Sequence, residues 1–175
     1  FSDIKEVHYF SVPDLYKRGA AYLHSFYTRC KNEAVVAVAD TYLMIDHDGI
    51  ARLHDYNPEM KIIVMLRNPV DRAYSSYNYS VNYGHHDAYA KFSESIIKES
   101  LLSKESDIAR RNNLGHFYAG MYHMHLQKWL EVFPRDQFLI MTTRELKASQ
   151  EKVAEKLFNF LGSPKIKQPI YSGTN

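Results

Sequence analysis

One cysteine, Cys30, in 175 residues excludes an intrachain disulfide and leaves the fold to packing and hydrogen bonding. It does not fix the redox compartment, because partner cysteines of a longer chain would lie outside this segment. No apolar run approaches the roughly 18 residues of a membrane-spanning helix. The opening FSDIKEVHYF has no initiator Met and none of the charged and apolar blocks of a secretory leader. The chain therefore reads as an excised piece of something longer, with room upstream for a membrane anchor or targeting segment. Glycine and proline are sparse and scattered, so no linker or repeat divides residues 1–175. A net charge of +2 is too mild for a nucleic-acid binder, whose basic residues stand out in number or in clusters. It is compatible with an anionic ligand held at one local site.

What is present is an ordinary globular composition enriched in tyrosine, long enough for one domain with a real core. AVVAVA (Ala34–Ala39), IIVML (Ile62–Leu66) and QFLIMT (Gln137–Thr142) are short apolar runs of the kind that fill parallel sheets covered on both faces. SVPD at Ser11–Asp14 reads as a capping box ahead of a helix with Leu15, Gly19, Tyr22, Leu23 and Phe26 on one face. A short helix or turn is expected in Tyr42–Tyr56, and longer helices in Asn68–Tyr83, Phe92–Leu102, His116–Phe133 and Lys147–Leu161. Gly162 and Pro164 close the last of these. Strands alternating with helices predict an α/β layer fold with a largely parallel sheet, whose ligands sit beyond the carboxyl ends of the strands.

Arg67 falls at such an end. In KIIVMLRNPVDRAYSSY, Asn68 suits a helix cap, Pro69 the first turn, and Asp71 the acid of a capping box. The helix start is expected to offer free N–H groups and a positive dipole end to an anion. Arg67 adds a planar fork able to grip two phosphate oxygens. Ser75 shares that helix face but lies about 10 Å along the axis, so the anion would rest beside the first two turns. On spacing alone, the same residues also fit an ordinary surface or ion-paired arginine and a helix serine.

LRNPVDRAYSSY resembles the 3′-phosphate-binding motif of sulfotransferases that use 3′-phosphoadenosine 5′-phosphosulfate (PAPS). KEVHYF (Lys5–Phe10) is similar to the KExHFF segment of Golgi glycosaminoglycan sulfotransferases. GMYHMHLQKWLEVFPRDQFLIMTTREL (Gly120–Leu146) and the following KLFNFLG resemble two later segments of the same enzymes, in the same order. The resemblance implies a P-loop-NTPase-like sulfotransferase fold, a parallel sheet flanked by helices, present in part: one sulfotransferase domain over 1–175, truncated at both ends. It implies sulfuryl transfer from PAPS to a hydroxyl of an anionic, glycosaminoglycan-like polysaccharide in the Golgi lumen, with no metal required. Residue by residue, Arg67 and Ser75 match the 3′-phosphate ligands and Glu6 matches the general base. His8, on the same face as Glu6 if the segment is extended, would orient the acceptor or serve as base in its place.

The pattern also has departures. The Lys/Gly/Thr-rich loop that binds the 5′-phosphosulfate is expected before Phe1, and the basic C-terminal loop after Asn175. Ala37, Ala39 and Asp40 replace polar or lysine residues of the family segment. These losses leave open a catalytically inactive domain that binds glycan or protein, and the related fold of P-loop kinases is a further alternative. His85–His86–Asp87 reads as a solvated loop rather than a metal site. His123 and His125, two apart on a helix, diverge. Lys104, Arg110 and Arg111 read as a solvated loop or as a contact for an anionic polysaccharide. Trp129 reads as core.

Overall fold

A computed structural model describes residues 2–31, 35–84, 91–102 and 116–163. The chain divides into two compact units, Phe1–Leu66 with Lys128–Asn175, and Arg67–Gln127. The helices are α1 (Pro13–Tyr16), α2 (Ala20–His24), α3 (His47–Tyr56), α4 (Pro69–Asn82), α5 (Phe92–Leu102), α6 (Tyr122–Leu130), α7 (Thr143–Ala148) and α8 (Gln150–Leu161). The strands are β1 (Ile62–Leu66) and β2 (Phe138–Thr142). They pair in parallel, in a register running from Ile62↔Phe138 to Leu66↔Thr142. This is the α/β arrangement that the alternation of apolar runs and helical stripes predicts, and the crossover between the strands carries α4, α5 and α6.

In the first unit the core gathers Val7, Tyr9, Phe10, Leu23, Ile50, Leu53, Trp129, Phe133 and Phe138 around the buried start of β1. Phe10 and Phe133 are each 1% exposed. Burying side chains of that size is worth roughly 1.5–3 kcal/mol apiece before entropy is counted. Arg52 on α3 donates from Nε to the Phe10 carbonyl at 2.6 Å and from a terminal nitrogen to Asp46 at 2.8 Å. Gly49 has to be a glycine here. A Cβ would stand 2.7 Å from Leu43 Cδ2, 2.8 Å from an Asp46 oxygen and 3.1 Å from the Phe10 carbonyl.

Several expected elements are corrected. Of AVVAVA, Ala34 lies outside the described residues, and residues 35–39 pair with no strand. Val38 packs on the core while Val36 is 53% exposed. An apolar run becomes a strand only where a neighbour accepts its ladder, and here hydrophobicity was satisfied without one. The double covering of the sheet is also incomplete, since Ile63 and Met65 remain about 40% exposed. The first helix is two short pieces, because Gly19 adopts φ 79° between them. Ser11 does not cap it: Val12 holds the cap position without a side-chain bond, and the Ser11 hydroxyl turns to Asp40. The stripe over His116–Phe133 begins as a 3-10 turn at Tyr118–Gly120 and becomes α-helical only at Tyr122.

The last helix breaks at Ser149, which is extended (φ −161°, ψ 101°) and caps α8 through its hydroxyl. Gly162 ends α8 in the left-handed conformation (φ 70°), as the sequence predicts. The short α7 is set by a capping box. The Thr142 hydroxyl accepts from the Glu145 N–H, and the Glu145 carboxylate accepts from the Thr142 N–H at 2.8 Å. Lys156 on α8 reaches the other Glu145 oxygen at 2.7 Å. The Lys156 and Thr142 hydrogen bonds hold the Glu145 carboxyl down from its ordinary 4.5 to about 2. Among the described residues, no helix is long and apolar enough to cross a membrane.

A folded-state carboxyl held low contributes stability that is complete above about pH 4.5 and is lost as the pH falls through about 2. Glu145→Gln is therefore expected to flatten the acid limb of the stability curve between those values while barely changing its shape below them. Denaturant midpoints at pH 5, 4, 3 and 2 check this, and parallel curves for the two proteins would refute it.

Candidate active site

The KEVHYF segment lies in the first unit and is not extended. Glu6 and His8 both have positive φ, 55° and 54°. Two non-glycine residues in that region, one residue apart, cost on the order of 1–3 kcal/mol each. The burial of Val7, Tyr9 and Phe10 and the Arg52 bond hold them there. Upstream, Asp3 anchors the segment: its N–H donates to the Phe26 carbonyl, and its carboxylate accepts from the Thr28 hydroxyl and from Arg29. Those hydrogen bonds hold the Asp3 carboxyl at about 2.

Although the conformation differs from the extended one expected, it does bring Glu6 and His8 together. His8 Nε2 is 3.7 Å from Glu6 Oε2, and Glu6 Oε1 accepts from the Thr41 hydroxyl at 3.2 Å. Behind them is Asp40, whose side chain is 1% exposed. One of its oxygens accepts from the Ser11 hydroxyl at 2.7 Å. The other accepts from the Tyr42 N–H at 3.0 Å and sits 3.2 Å from His8 Nδ1. The Tyr42 ring stands edge-on to the His8 imidazole at 5.3 Å. Asp40 counts as a departure when the sequence alone is read, yet it is the residue around which this cluster is organised. The available signal was a lone carboxylate ending the apolar run VAVAD, where burial would oblige it to find donors.

In the second unit, Asn68 caps α4 as predicted. Its side-chain oxygen accepts from the N–H of Val70 at 2.9 Å and of Asp71 at 3.3 Å. The expectation of free N–H groups at this helix start is thereby corrected. Pro69 has none, Asn68 occupies the next two, and the Arg72 N–H returns to the Asn68 carbonyl. What remains for an anion is the dipole and the side chains. Arg67 and Ser75 are both exposed. Among the described residues no hydrogen bond or ion pair engages the Arg67 guanidinium, which fits an ordinary surface arginine as well as one open to an anion.

The inner side of α4 is more heavily bonded. The Arg72 guanidinium donates to the His116 carbonyl, and the Ser76 hydroxyl meets His116 Nδ1 at 2.9 Å. Glu99 on α5 is 6% exposed and accepts from the N–H groups of His116 and Phe117. Burial raises the Glu99 carboxyl, and it lowers His116, which the nearby Arg72 charge lowers further. His125, fully buried, bonds the Tyr118 carbonyl at 2.9 Å and is structural, as the helix spacing suggests. His85, His86, Asp87, Lys104, Arg110 and Arg111 lie outside the described residues.

A strained acid–imidazole pair on one segment and an exposed arginine between a strand end and a capped helix form a pattern that can be compared with known proteins. The model of the sulfotransferase domain matches residues 2–171. The chain belongs to the sulfotransferase domain family. Carbohydrate sulfotransferase 15 of Mus musculus is 33% identical over 119 residues, covering 62% of this chain and 21% of that protein. The human bifunctional heparan sulfate N-deacetylase/N-sulfotransferase 2 is 29% identical over 168 residues, which is 92% of this chain and 18% of that protein. The human heparan sulfate glucosamine 3-O-sulfotransferase 6 is 26% identical across 92% of this chain and 44% of its own length. The chain thus spans less than half of each of these relatives. A sulfotransferase from Alicyclobacillus acidocaldarius superposes with a TM-score of 0.80 at 26% identity, over 99% of this sulfotransferase domain and 74% of the bacterial chain.

The cap at Asn68 is the local determinant of where α4 begins, and hence of where Arg67 leaves the strand. Asn68→Ala is expected to cost about 1 kcal/mol of stability and to speed hydrogen exchange at the Val70 and Asp71 amides. Unchanged protection at those two amides would show that the cap bonds do not hold the first turn.

Proposed function

We propose that this sulfotransferase domain moves a sulfuryl group from PAPS to a hydroxyl of a glycosaminoglycan-like polysaccharide, in the lumen of the Golgi in its parent protein. The observation that carries the reading is the pairing of Glu6 and His8 on a clamped, partly buried segment, whose sequence resembles the KExHFF segment of glycosaminoglycan sulfotransferases. An acceptor hydroxyl attacks sulfur in line. A new S–O bond forms as the bond from sulfur to the 5′-phosphate oxygen breaks, leaving 3′-phosphoadenosine 5′-phosphate. Sugar hydroxyls hold their proton tightly, so a carboxylate within hydrogen-bond reach is needed as the bond forms. Glu6 takes that role, and His8 orients the acceptor or shares the proton.

Arg67 is assigned to the 3′-phosphate, with Ser75 donating its hydroxyl. That role is supported by the exposure of Arg67 and by its place directly after β1 and before the Asn68 cap of α4. With the first-turn amides taken by Asn68, the grip on the phosphate falls to these side chains. Negative charge accumulating on the departing nucleotide is stabilised by cationic donors. The scheme routes no step through a metal ion. The alanines at 37 and 39, which carry no functional group, favour the second reading of a domain that binds glycan without turnover.

Sulfate transfer from labelled PAPS to heparan- and chondroitin-type acceptors, with the full-length protein, separates the two. Glu6→Gln is expected to lower kcat at least about 100-fold while affinity for 3′-phosphoadenosine 5′-phosphate stays within a factor of two or so. Arg67→Ala should do the reverse, weakening that nucleotide about 10-fold or more through the loss of charge-assisted bonds. A wild-type protein that binds the nucleotide but transfers nothing would favour the non-catalytic reading, and a fully active Glu6→Gln would remove Glu6 as base.

A further inference from the structure

We infer that Asp40 is a positioning residue of this site: it holds His8 in the Nδ1–H tautomer, so that the Nε2 lone pair is turned toward Glu6. The inference rests on the reading that Glu6 and His8 serve the acceptor hydroxyl. It assigns a role to a residue that the sequence pattern marks only as a departure.

The argument starts from burial. A carboxylate whose side chain is 1% exposed requires donors for its lone pairs, because an unpaired buried charge is strongly unfavourable. Two donors are unambiguous. The Tyr42 N–H and the Ser11 hydroxyl take one oxygen each, at 3.0 and 2.7 Å. The third neighbour is His8 Nδ1, 3.2 Å from the oxygen that Tyr42 already serves. Among neutral tautomers, only the one protonated at Nδ1 makes that contact a hydrogen bond; the other sets a nitrogen lone pair against a carboxylate. The proton is therefore fixed on Nδ1 by a group with no alternative use, and Nε2 becomes the acceptor.

Nε2 faces Glu6 Oε2 at 3.7 Å, an ion-pair separation rather than a hydrogen bond. Two unprotonated acceptors at that distance gain nothing from each other. A proton arriving on Glu6 changes this. It can be shared with Nε2, giving an imidazolium whose other N–H is already bonded to a carboxylate. The proton removed from the acceptor hydroxyl thus passes from oxygen to the Glu6 carboxylate and into a hydrogen bond with His8, with charge balanced by Asp40. Among the described residues, the charged or titratable groups facing His8 are Glu6, Asp40 and Tyr42. Backbone geometry supports a built arrangement. Both Glu6 and His8 are held at positive φ, a cost that persists only where surrounding structure over-determines the conformation.

The test uses the full-length protein labelled with nitrogen-15 in histidine. Long-range proton–nitrogen correlation of His8, on the alkaline side of its titration, is expected to show the proton on Nδ1 in the wild type. Nε2–H in the wild type would overturn the inference, whatever the activity. Asp40→Ala should shift the population toward Nε2–H and lower kcat on the order of 10- to 100-fold, as for other residues that orient a functional imidazole, with the KM for PAPS unchanged. Asp40→Asn keeps an oxygen for Tyr42 and His8 and an amide for Ser11, so it should restore the tautomer and only part of kcat, since the neutral amide no longer balances the imidazolium charge. An Asp40→Ala protein with wild-type kcat, or one whose Asn counterpart regains stability but not the tautomer, would sink the proposal. If the wild type transfers no sulfate at all, the functional reading fails while the tautomer measurement still decides the role of Asp40.

Discussion

Arg52 Nε donates to the Phe10 carbonyl at 2.6 Å, and on that bond and the burial around it depends the conformation of the whole segment before it. A chain carrying two residues with φ near +55° would relax if its ends were free. Here Val7, Tyr9 and Phe10 are sunk in the core, and Asp3 ties the upstream end to residues 26–29. Burial of these apolar side chains supplies the energy, while Glu6 and His8 beside them stay partly exposed with their backbone strained. The energy that holds Glu6 and His8 therefore comes from buried side chains around them, and Gly49 and Arg52 on α3 belong to this arrangement as much as Phe10 does.

How much of this was legible in the sequence follows from the physics of each element. Strands β1 and β2 and the capped start of α4 were readable to within a residue, because local signals and tertiary context agree there. An apolar run ends at Arg67, Asn68 caps, and Pro69 fills the first turn. AVVAVA carries the same apolar signal, but a strand needs a partner, and pairing is a non-local property that no periodicity encodes. Ser11 illustrates the converse. Its spacing to Asp14 fits a capping box, but its hydroxyl donates to the buried Asp40 carboxylate and makes no cap bond with the helix N–H groups. Glu6 and His8 were found together for a reason that proved different, through left-handed backbone rather than a pleated strand. Asp40 was missed because the family pattern directs attention to what position 40 lacks, whereas its importance comes from what surrounds it.

The Asp40 cluster in the first unit and Arg67 in the second rest on different physics. Asp40 is desolvated and bonded on both oxygens, so its cost was met on folding, while the His8 and Glu6 side chains keep 31% and 23% of their exposure. Arg67 is the opposite case: exposed and, among the described residues, unengaged. Its guanidinium has still to be ordered by whatever anion it binds, at a cost of about 2 kcal/mol in rotamer freedom.

That cost bounds what Arg67 can do. Two charge-assisted bonds from one guanidinium to a phosphate contribute roughly 3–6 kcal/mol, of which about 1–4 remains after ordering the side chain. A micromolar nucleotide requires about 8 kcal/mol. Asn68 has removed the amides that would otherwise make up part of the difference at this helix start. The 3′-phosphate contact proposed here can therefore select the donor nucleotide but cannot by itself retain it. The remaining affinity must come from groups gripping the adenine and the 5′-phosphosulfate, which is the part of the site that the family resemblance assigns to a Lys/Gly/Thr-rich loop. In the function proposed above, Arg67 discriminates, that loop binds, and the Glu6 segment supplies the chemistry.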